Sequence, residues 1–288
     1  MNNSFSILDN IDKEFIKQNS IEDIVAEEKL YSKKNDVYLI KVSCTCKSEK
    51  HYIYKEFKGE DRSSRLRREI YFYEELCRAG VFTFLKKPAF NKPANQNNAD
   101  GLTTCRIARN EIGMKINPEM PELNVPRLYY VGKSFLILEF LGRKNLLDYI
   151  LEEENKEYTQ IGKSDSKSGL SNYKPLLDAL GFITDFNNYM KAIKNRSYIL
   201  CDMNFRNFIL VSDRIFRVDF EDCREGEVEE DAGKFIAFFL TYKPEFTHWK
   251  KQLTASIQKH CITHLHMNGK LLEEEILKEF NSMKSRRK

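Results

Sequence analysis

Two carboxylates and an amide flank two short apolar runs near residue 210, and this arrangement could bind a divalent cation. The runs lie at 208–211 and 215–218 and are joined by a turn-forming Ser-Asp-Arg. Asp202 and Asn207 precede the first run, and Asp219 follows the second. Carboxylate and amide oxygens are the hard ligands that Mg²⁺ prefers, whereas packing gives little reason to place them at the mouth of a hairpin. The pattern therefore predicts a β-hairpin whose open end holds a metal ion.

Two charged residues earlier in the chain could extend this chemistry to a polyanion. Lys55 lies inside an apolar and aromatic strand predicted over 51–57, and Glu69 follows fourteen positions later on a helix predicted over 61–80. A single lysine in a strand is usually a solvated edge residue, and Glu74 is a rival for the role of the helix carboxylate. The ordered set, rather than either residue alone, indicates a function.

In chain order, five residues resemble the protein-kinase-like superfamily: Lys55, Glu69, Asp202 with Asn207 in a D-x-x-x-x-N spacing, and Asp219, which opens DFED. The resemblance extends over most of the chain. It implies an α+β, bilobal protein-kinase-like fold, with an antiparallel sheet and one helix in the first lobe and a mainly helical second lobe. It also implies ATP and Mg²⁺ as cofactors.

The resemblance assigns each of these side chains a role. Lys55 is expected to contact the α- and β-phosphates of the nucleotide, with its ammonium held by the carboxylate of Glu69. Asn207 and Asp219 are expected to bind Mg²⁺. Asp202 is the expected catalytic residue, because it would accept a hydrogen bond from the acceptor hydroxyl and orient that hydroxyl for in-line attack.

Three more residues take positions that the resemblance explains. Glu139 ends the run FLILE, where the segment joining the two lobes is expected, so the backbone from Glu139 to Leu141 is expected to meet adenine. Asp231 resembles the aspartate that braces the catalytic loop in this superfamily. The nucleotide-binding residues are thus Lys55, Glu69, Glu139 and Leu141.

The chain departs from the superfamily pattern at three points. Leu200 replaces the usual histidine two positions before the catalytic aspartate, and residues 30–40 contain no glycine where a phosphate loop is expected. Asp219 is followed by Phe-Glu instead of Phe-Gly, a form similar to that of the aminoglycoside and choline phosphotransferases. Only eleven residues separate Asp219 from Asp231, and none forms the anchor that docks a peptide. These features favour a compact hydroxyl acceptor over a protein chain.

The elements that would position these residues follow from hydrophobic periodicity. Four or five antiparallel strands with one helix among them are followed by a mostly helical half, which predicts an α+β chain of two lobes. The lobes are expected at 1–141, with an irregular insertion at 86–126, and at 142–288. Strands are predicted at 36–44, 51–57, 127–132, 134–141, 208–211 and 215–218, and helices from Ser6 to about 19 and at 61–80, 145–154, 173–195, 229–242, 246–267 and 271–284.

Composition excludes several function classes. The net charge of +4 arises from 47 basic and 43 acidic residues that are interleaved, so we expect no nucleic-acid partner. Seven scattered cysteines lack zinc-finger spacing, and neither an export signal nor an apolar run of membrane length is visible. We therefore expect a cytoplasmic protein without a membrane span. His260 and His264 lie one helical turn apart, but a solvated helix face explains this spacing better than a metal site.

The expected activity is an ATP- and Mg²⁺-dependent phosphotransferase acting on a hydroxyl of a small molecule or saccharide. A compact atypical Ser/Thr protein kinase is one alternative, because such kinases also lack the peptide-docking segment. A catalytically silent kinase-like binding protein is the other, since the phosphate loop lacks glycine and Leu200 replaces a histidine.

Overall fold

A computed structural model describes residues 7–78, 123–159 and 169–286. These residues form two compact units, one rich in strands and one mainly helical. Residues 123–125, which the sequence grouped with the first half, belong to the second unit. The first unit takes its described residues from Met1–Pro118 and Pro126–Phe140, and the second takes its own from Glu119–Val125 and Leu141–Lys288.

The first unit is built on a five-stranded antiparallel sheet in the order β1-β2-β3-β5-β4. Together with the helices of both units, this sheet makes the chain an α+β protein, as the sequence predicted. The strands are β1 (Ile21–Leu30), β2 (Asn35–Cys44), β3 (Glu49–Phe57), β4 (Leu128–Val131) and β5 (Phe135–Glu139).

One face of this sheet carries the core of the first unit. β-branched and aromatic side chains suit a pleated, buried surface, and they recur at every second position on the central strands. Ile40 and Val42 of β2 are buried beside Tyr52 and Tyr54 of β3. Ile137 of β5 completes the layer. The buried face is therefore formed by three neighbouring strands, β2, β3 and β5. Lys55 lies on β3, the middle strand of the three.

The start of the chain corrects the helix predicted there. Ser6, its expected cap, lies outside the described residues. The helix is broken into a short 3-10 turn (Leu8–Asn10) and helix α1 (Lys13–Gln18). The reason is Asp12, whose carboxylate accepts hydrogen bonds from the backbone N–H groups of Glu14 at 2.8 Å and Phe15 at 3.1 Å. An aspartate that caps a helix in this way fixes its first residue.

Strand β1 was missed by the sequence prediction. It is an edge strand whose only buried side chains, among the residues described, are Ile21 and Ile24. The remaining positions are mostly charged, and charges on an edge strand oppose pairing with other chains. Because its partner β2 covers only one side, β1 shows too few apolar residues to be recognised by alternation.

Helix α2 (Arg62–Arg78) follows β3 and packs against it. Its buried face includes Leu66, Glu69, Tyr73 and Leu76, which recur at the three- and four-residue spacing of one helical face. Gly80, at the predicted end of this helix, lies outside the described residues, as does most of the irregular insertion predicted at 86–126. The buried side of the helix thus carries the Glu69 carboxylate among apolar side chains, and Arg65 and Glu75 are buried on the same helix.

The described part of the second unit contains five α-helices, one β-hairpin and one further pair of short antiparallel strands. None of its described helices, nor those of the first unit, is both long and apolar enough to cross a membrane. The elements are α3 (Leu146–Thr159), α4 (Lys174–Lys194), α5 (Val228–Thr241), α6 (His248–Thr263), α7 (Gly269–Arg286), β6 (Tyr198–Ile199) paired with β9 (Arg224–Glu225), and β7 (Phe208–Val211) paired with β8 (Arg214–Arg217).

Several predicted boundaries in this unit were wrong, among them those of α6, which was predicted at 246–267 and is observed at His248–Thr263. Helix α3 continues to Thr159, five residues beyond its predicted end at 154. Strand β8 begins at Arg214 and ends at Arg217, one residue earlier than predicted at each end. The pair β6 and β9 was not predicted, because strands of two residues carry no periodic signal.

Buried aromatic rings form the core of this unit next to the loop between Asp202 and Asn207. Phe205 and Phe208 are fully buried and lie 4.6 Å and 6.1 Å, between ring centroids, from Phe235 of α5. Because these two rings flank Asn207 in the chain, the short stretch between them is fixed at both ends. The loop is therefore anchored by packing before any polar contact is considered.

Candidate functional site

Asp202 and Asn207 face each other across a short loop. The Asn207 Nδ2 donates a hydrogen bond to Asp202 Oδ2 at 3.1 Å, and the Asn204 backbone N–H donates to Asp202 Oδ1 at 3.0 Å. Both carboxylate oxygens of Asp202 thus accept a bond from its own loop. Since the amide nitrogen of Asn207 is turned towards Asp202, its Oδ1 is the atom that can accept or ligate.

Asp219 is linked to this loop through the backbone of the hairpin. The Val218 N–H donates to the Asn207 carbonyl at 2.9 Å, so the residue that follows β8 starts beside Asn207. Asp219 has a backbone φ of +72°, a left-handed conformation that costs a non-glycine residue about 1 kcal/mol or more. Cys201, the residue directly before Asp202 in the chain, has a φ of +66°. Strained residues of this kind concentrate at functional sites.

Asp231, near the start of α5, is hydrogen-bonded to the backbone just before this loop. It accepts the backbone N–H of Leu200 at 2.6 Å and that of Cys201 at 3.0 Å. The side chain is almost fully buried, and burial raises the pKa of Asp231 to about 6, against the lowering effect of these two donors. A buried carboxylate with two N–H partners holds the strained Cys201 in place.

Arg217 was not predicted from the sequence as part of the site. It is fully buried, and its Nη2 donates to the Asp202 carbonyl at 2.6 Å. Its guanidinium lies 4.9 Å from the ring centre of Phe208, within cation–π range. Among the described residues, its Nε and Nη1 atoms find no hydrogen-bond partner. An arginine at the end of a short strand reads as a surface residue, so only the fold reveals this burial.

In the first unit, Lys55 and Glu69 form a buried ion pair. Lys55 Nζ lies 2.6 Å from Glu69 Oε2, and the two side chains are 8% and 0% exposed. Lys55 pairs with Val37 of β2 on one side and with Leu136 of β5 on the other. It is therefore on a central strand, and the reading as a solvated edge lysine was wrong. The rival carboxylate, Glu74, is exposed.

Glu139 lies near the end of the first unit in the chain, and Leu141 is the residue at which the second unit continues. Glu139 is the last residue of β5, and its backbone N–H donates to the Arg127 carbonyl at 2.8 Å. Its Oε2 accepts the Arg127 backbone N–H at 3.1 Å. Leu141 is half-buried and lies outside the sheet. The carboxylate of Glu139 thus has a structural partner, while the adenine-binding role of this segment stays a prediction.

The glycine-free turn between β1 and β2 is ordered by side chains. The Asn35 N–H donates to Ser32 Oγ at 3.2 Å, and Asn35 Oδ1 accepts from Arg65 Nη1 at 2.8 Å. Arg65, on α2, also donates to the Lys58 carbonyl. The Asn35 amide, which a phosphate loop would offer to a nucleotide, is thus engaged within the unit.

His260 in the last turn of α6 and His264, the residue that follows the helix, lie close together without a complete ligand set among the described residues. The rings of His260 and His264 are stacked at 4.8 Å between centroids, and His264 Nδ1 bonds Thr263 Oγ1 at 2.7 Å. Partial burial and the neighbouring ring lower the pKa of His260. Within the part of the chain that the structure describes, no third His, Cys, Asp or Glu joins them as a ligand.

The predicted site residues thus fall into two groups, one in each unit. Lys55 is paired with Glu69 in the first unit. In the second, Asp202 bonds Asn207 directly, and Asp219 is joined to Asn207 through Val218. Comparison with models of known protein families and with curated proteins finds no match to this chain.

Proposed function

We propose that this chain is an ATP- and Mg²⁺-dependent phosphotransferase that moves the γ-phosphate to a hydroxyl of a small molecule or saccharide. The observation that carries the proposal is the bond from Asn207 Nδ2 to Asp202 Oδ2. It leaves a carboxylate and an amide oxygen, fixed on one rigid loop, for two different tasks: orienting a hydroxyl and ligating a cation. A turn that was only structural would not need both.

Metal binding falls to Asn207 and Asp219. An amide oxygen and a carboxylate are suitable ligands for Mg²⁺, and the bond from Val218 to Asn207 joins the backbones that carry them. Bound Mg²⁺ would neutralise charge on the phosphates. The left-handed backbone of Asp219 is a conformational cost that this role explains.

Asp202 would orient the acceptor. Its two oxygens already accept from Asn204 and Asn207, so its rotamer is fixed, and each oxygen keeps a second lone pair for the acceptor hydroxyl. A hydroxyl held in line with the phosphorus gains most of its rate from positioning. The backbone contacts of Asp231 and Arg217 support this geometry.

The buried pair Lys55–Glu69 would bind the α- and β-phosphates. Burying two charges is expensive, and a well-packed apolar pair is often as stable, so its presence on the central strand suggests a task beyond folding. The proposal includes the bilobal kinase-like arrangement, with both units acting on one nucleotide.

A compact acceptor is favoured by the segment between Asp219 and α5. Its residues Arg224 and Glu225 form β9, which pairs with β6. The Gly226 N–H donates to the Ser197 carbonyl at 3.2 Å. This short segment is committed to contacts within its own unit, so it offers no extended strand for docking a peptide substrate.

The test compares two aspartates at opposite ends of one hairpin. Asp219→Ala should lower ATP turnover at least about 100-fold, because a metal ligand is lost. Asp213→Ala, at the exposed turn of the same hairpin, should leave turnover unchanged. Turnover is followed as ADP release with amino sugars, saccharides and amino alcohols as acceptors. An undiminished rate in Asp219→Ala would overturn the metal assignment.

A silent binding protein is the second candidate, because the Asn35 amide in the glycine-free turn is already engaged. No shift of the melting temperature at millimolar Mg-ATP, together with no ADP release for any acceptor, would favour this candidate. For the protein-kinase alternative, incorporation of labelled phosphate into generic proteins or into the chain itself is the decisive measurement.

A further inference from the structure

Tyr242, the residue that follows α5, forms hydrogen bonds through its hydroxyl with the loop between Asp202 and Asn207. The hydroxyl accepts the Phe205 backbone N–H at 3.0 Å and donates to Asn204 Oδ1 at 3.1 Å. Its ring packs on those of Phe205 and Phe238, at 5.2 Å and 6.0 Å between centroids. One oxygen atom thus satisfies two groups in the middle of the loop.

Asn204 connects this hydroxyl to the candidate catalytic residue. Its backbone N–H donates to Asp202 Oδ1 at 3.0 Å, while its Oδ1 accepts both from Tyr242 and from the Arg206 N–H at 3.1 Å. Because the bond to Asp202 comes from the backbone N–H, a shift of the Asn204 backbone would disturb Asp202 directly. Only one residue separates the Tyr242 hydroxyl from the Asp202 carboxylate.

The backbone of Tyr242 is itself held by a buried charge cluster. Lys250 Nζ donates to the carbonyls of Tyr242 at 2.9 Å and Pro244 at 2.7 Å, and it lies 2.9 Å from Glu154 Oε2. The Thr247 hydroxyl donates to Glu154 Oε1 at 2.6 Å. The side chains of Lys250 and Glu154 are 0% and 1% exposed.

Such a cluster makes the turn after α5 a rigid support. A buried ammonium must keep its partners, because an unpaired buried charge is strongly unfavourable, so the carbonyl of Tyr242 cannot move away. Burial also raises the pKa of the Tyr242 phenol to about 12, so its hydroxyl remains a donor to Asn204 at neutral pH. The turn therefore presents a fixed donor and acceptor to the loop.

We propose that Tyr242 is a positioning residue: its hydroxyl fixes Asn204, and through it the Asp202 carboxylate, in the geometry for orienting the acceptor hydroxyl. This inference rests on the proposed function. Tyr242 stabilises the reactive geometry without touching substrate, so its loss should slow turnover and leave nucleotide binding intact.

The test uses Tyr242→Phe, which keeps the packed ring and removes one oxygen. Its matched control is Tyr173→Phe in the same unit. The Tyr173 hydroxyl bonds Trp249 Nε1 at 3.0 Å and Glu157 Oε1 at 3.1 Å, on α6 and α3. Both variants lose a buried hydroxyl with two partners, but only one of those hydroxyls bonds the loop that carries Asp202.

Two measurements separate positioning from simple stability. Amide exchange of the peptide covering 200–207 should accelerate about tenfold in Tyr242→Phe, because the Phe205 N–H loses its acceptor, and should not change in Tyr173→Phe. In ATP turnover, kcat of Tyr242→Phe should fall about tenfold or more with an unchanged KM for Mg-ATP, while Tyr173→Phe keeps the kcat of the wild type.

Failure of this inference is distinguishable from failure of the proposed function. Unchanged exchange or an unchanged kcat in Tyr242→Phe, with an active wild type, overturns the positioning role and leaves the phosphotransferase proposal standing. A wild type without turnover for any acceptor overturns the phosphotransferase proposal and the catalytic part of this inference. Faster exchange in Tyr242→Phe still supports the bond to the loop.

Discussion

At the scale of single residues, Asp231 shows two physical effects in opposition. Burial favours its neutral form, whereas the N–H groups of Leu200 and Cys201 favour its charged form. Burial is the larger effect and raises the pKa to about 6. Because the unfolded chain releases this proton at about pH 3.9, the folded state binds it more tightly between these values. The contribution of Asp231 to stability is therefore greatest below pH 4 and is lost as the pH rises to 6.

These opposing effects predict that the difference in free energy of unfolding between the wild type and Asp231→Asn depends on pH, because the amide of the variant does not titrate. The free energy of unfolding of the wild type, relative to the variant, should decrease by up to about 3 kcal/mol between pH 4 and pH 7. Urea unfolding at several pH values measures it. A relative stability that rises with pH would mean that the two N–H donors outweigh burial.

The pair Lys55–Glu69 allows charge and function to be separated. Lys55→Met removes the ammonium that lies beside the buried Glu69 carboxylate and should lower the free energy of unfolding by about 3–5 kcal/mol. The double variant Lys55→Met with Glu69→Leu removes both charges and should recover most of that loss. If Lys55 binds the phosphates as proposed, affinity for Mg-ATP should be weak in both variants.

Guanidinium unfolding and nucleotide titration measure these two properties. Lys58→Met, which changes a half-exposed lysine three residues along the chain, is the control and should match the wild type in affinity. Recovery of affinity together with stability in the double variant would make the pair purely structural.

At the scale of elements, a buried ion pair connects helices α3 and α6. Lys250→Met would leave Glu154 buried, with only the Thr247 hydroxyl as a hydrogen-bond donor among the described residues. We expect a loss of about 3–5 kcal/mol in the free energy of unfolding. The exposed pair Lys270–Glu274 on α7 is the control, and Lys270→Met should cost less than about 0.5 kcal/mol. Equal effects in urea unfolding would contradict the importance of this cluster.

The same elements show what the sequence can predict. Helices α2, α4 and α5 bury regular apolar faces, so their periodicity is visible in the chain. Strand β1 is not visible, because an edge strand buries so little of itself. The site follows the same division: the order of Lys55, Glu69, Asp202 and Asn207 could be read directly. Arg217 could not, since its burial depends on long-range contacts rather than on its neighbours in the chain.

Hydroxyl bonds such as that of Tyr242 are also beyond sequence reasoning. A tyrosine after a helix rich in phenylalanine indicates packing, and its ring does pack on Phe205. That its oxygen also meets Asn204 depends on a turn fixed by Lys250, which comes later in the chain. Polar contacts of this kind require the exact placement of three elements, which no spacing pattern specifies.

At the scale of the whole molecule, the phosphotransferase proposal requires that one nucleotide be bound by residues of both units. A double-mutant cycle on Lys55 and Asp219 tests this requirement without assuming any distance between them. The affinity for Mg-ATP is measured by titration for the wild type, Lys55→Met, Asp219→Ala and the double variant. If both residues act on the same phosphates, the two losses in binding free energy should differ from additivity by about 0.5–3 kcal/mol.

Independent sites would behave differently, because changes that share no partner add to within about 0.5 kcal/mol. The control is a second cycle in which Lys58→Met takes the place of Lys55→Met. The two losses in binding free energy should be additive in that cycle. Since a folding defect in Lys55→Met could mimic lost affinity, the cycle is repeated with Lys55→Met and Glu69→Leu combined in place of Lys55→Met alone, because the combined variant is expected to recover stability. Additivity in both cycles would separate the buried pair of the first unit from the metal ligands of the second, and the proposed single nucleotide site would be wrong.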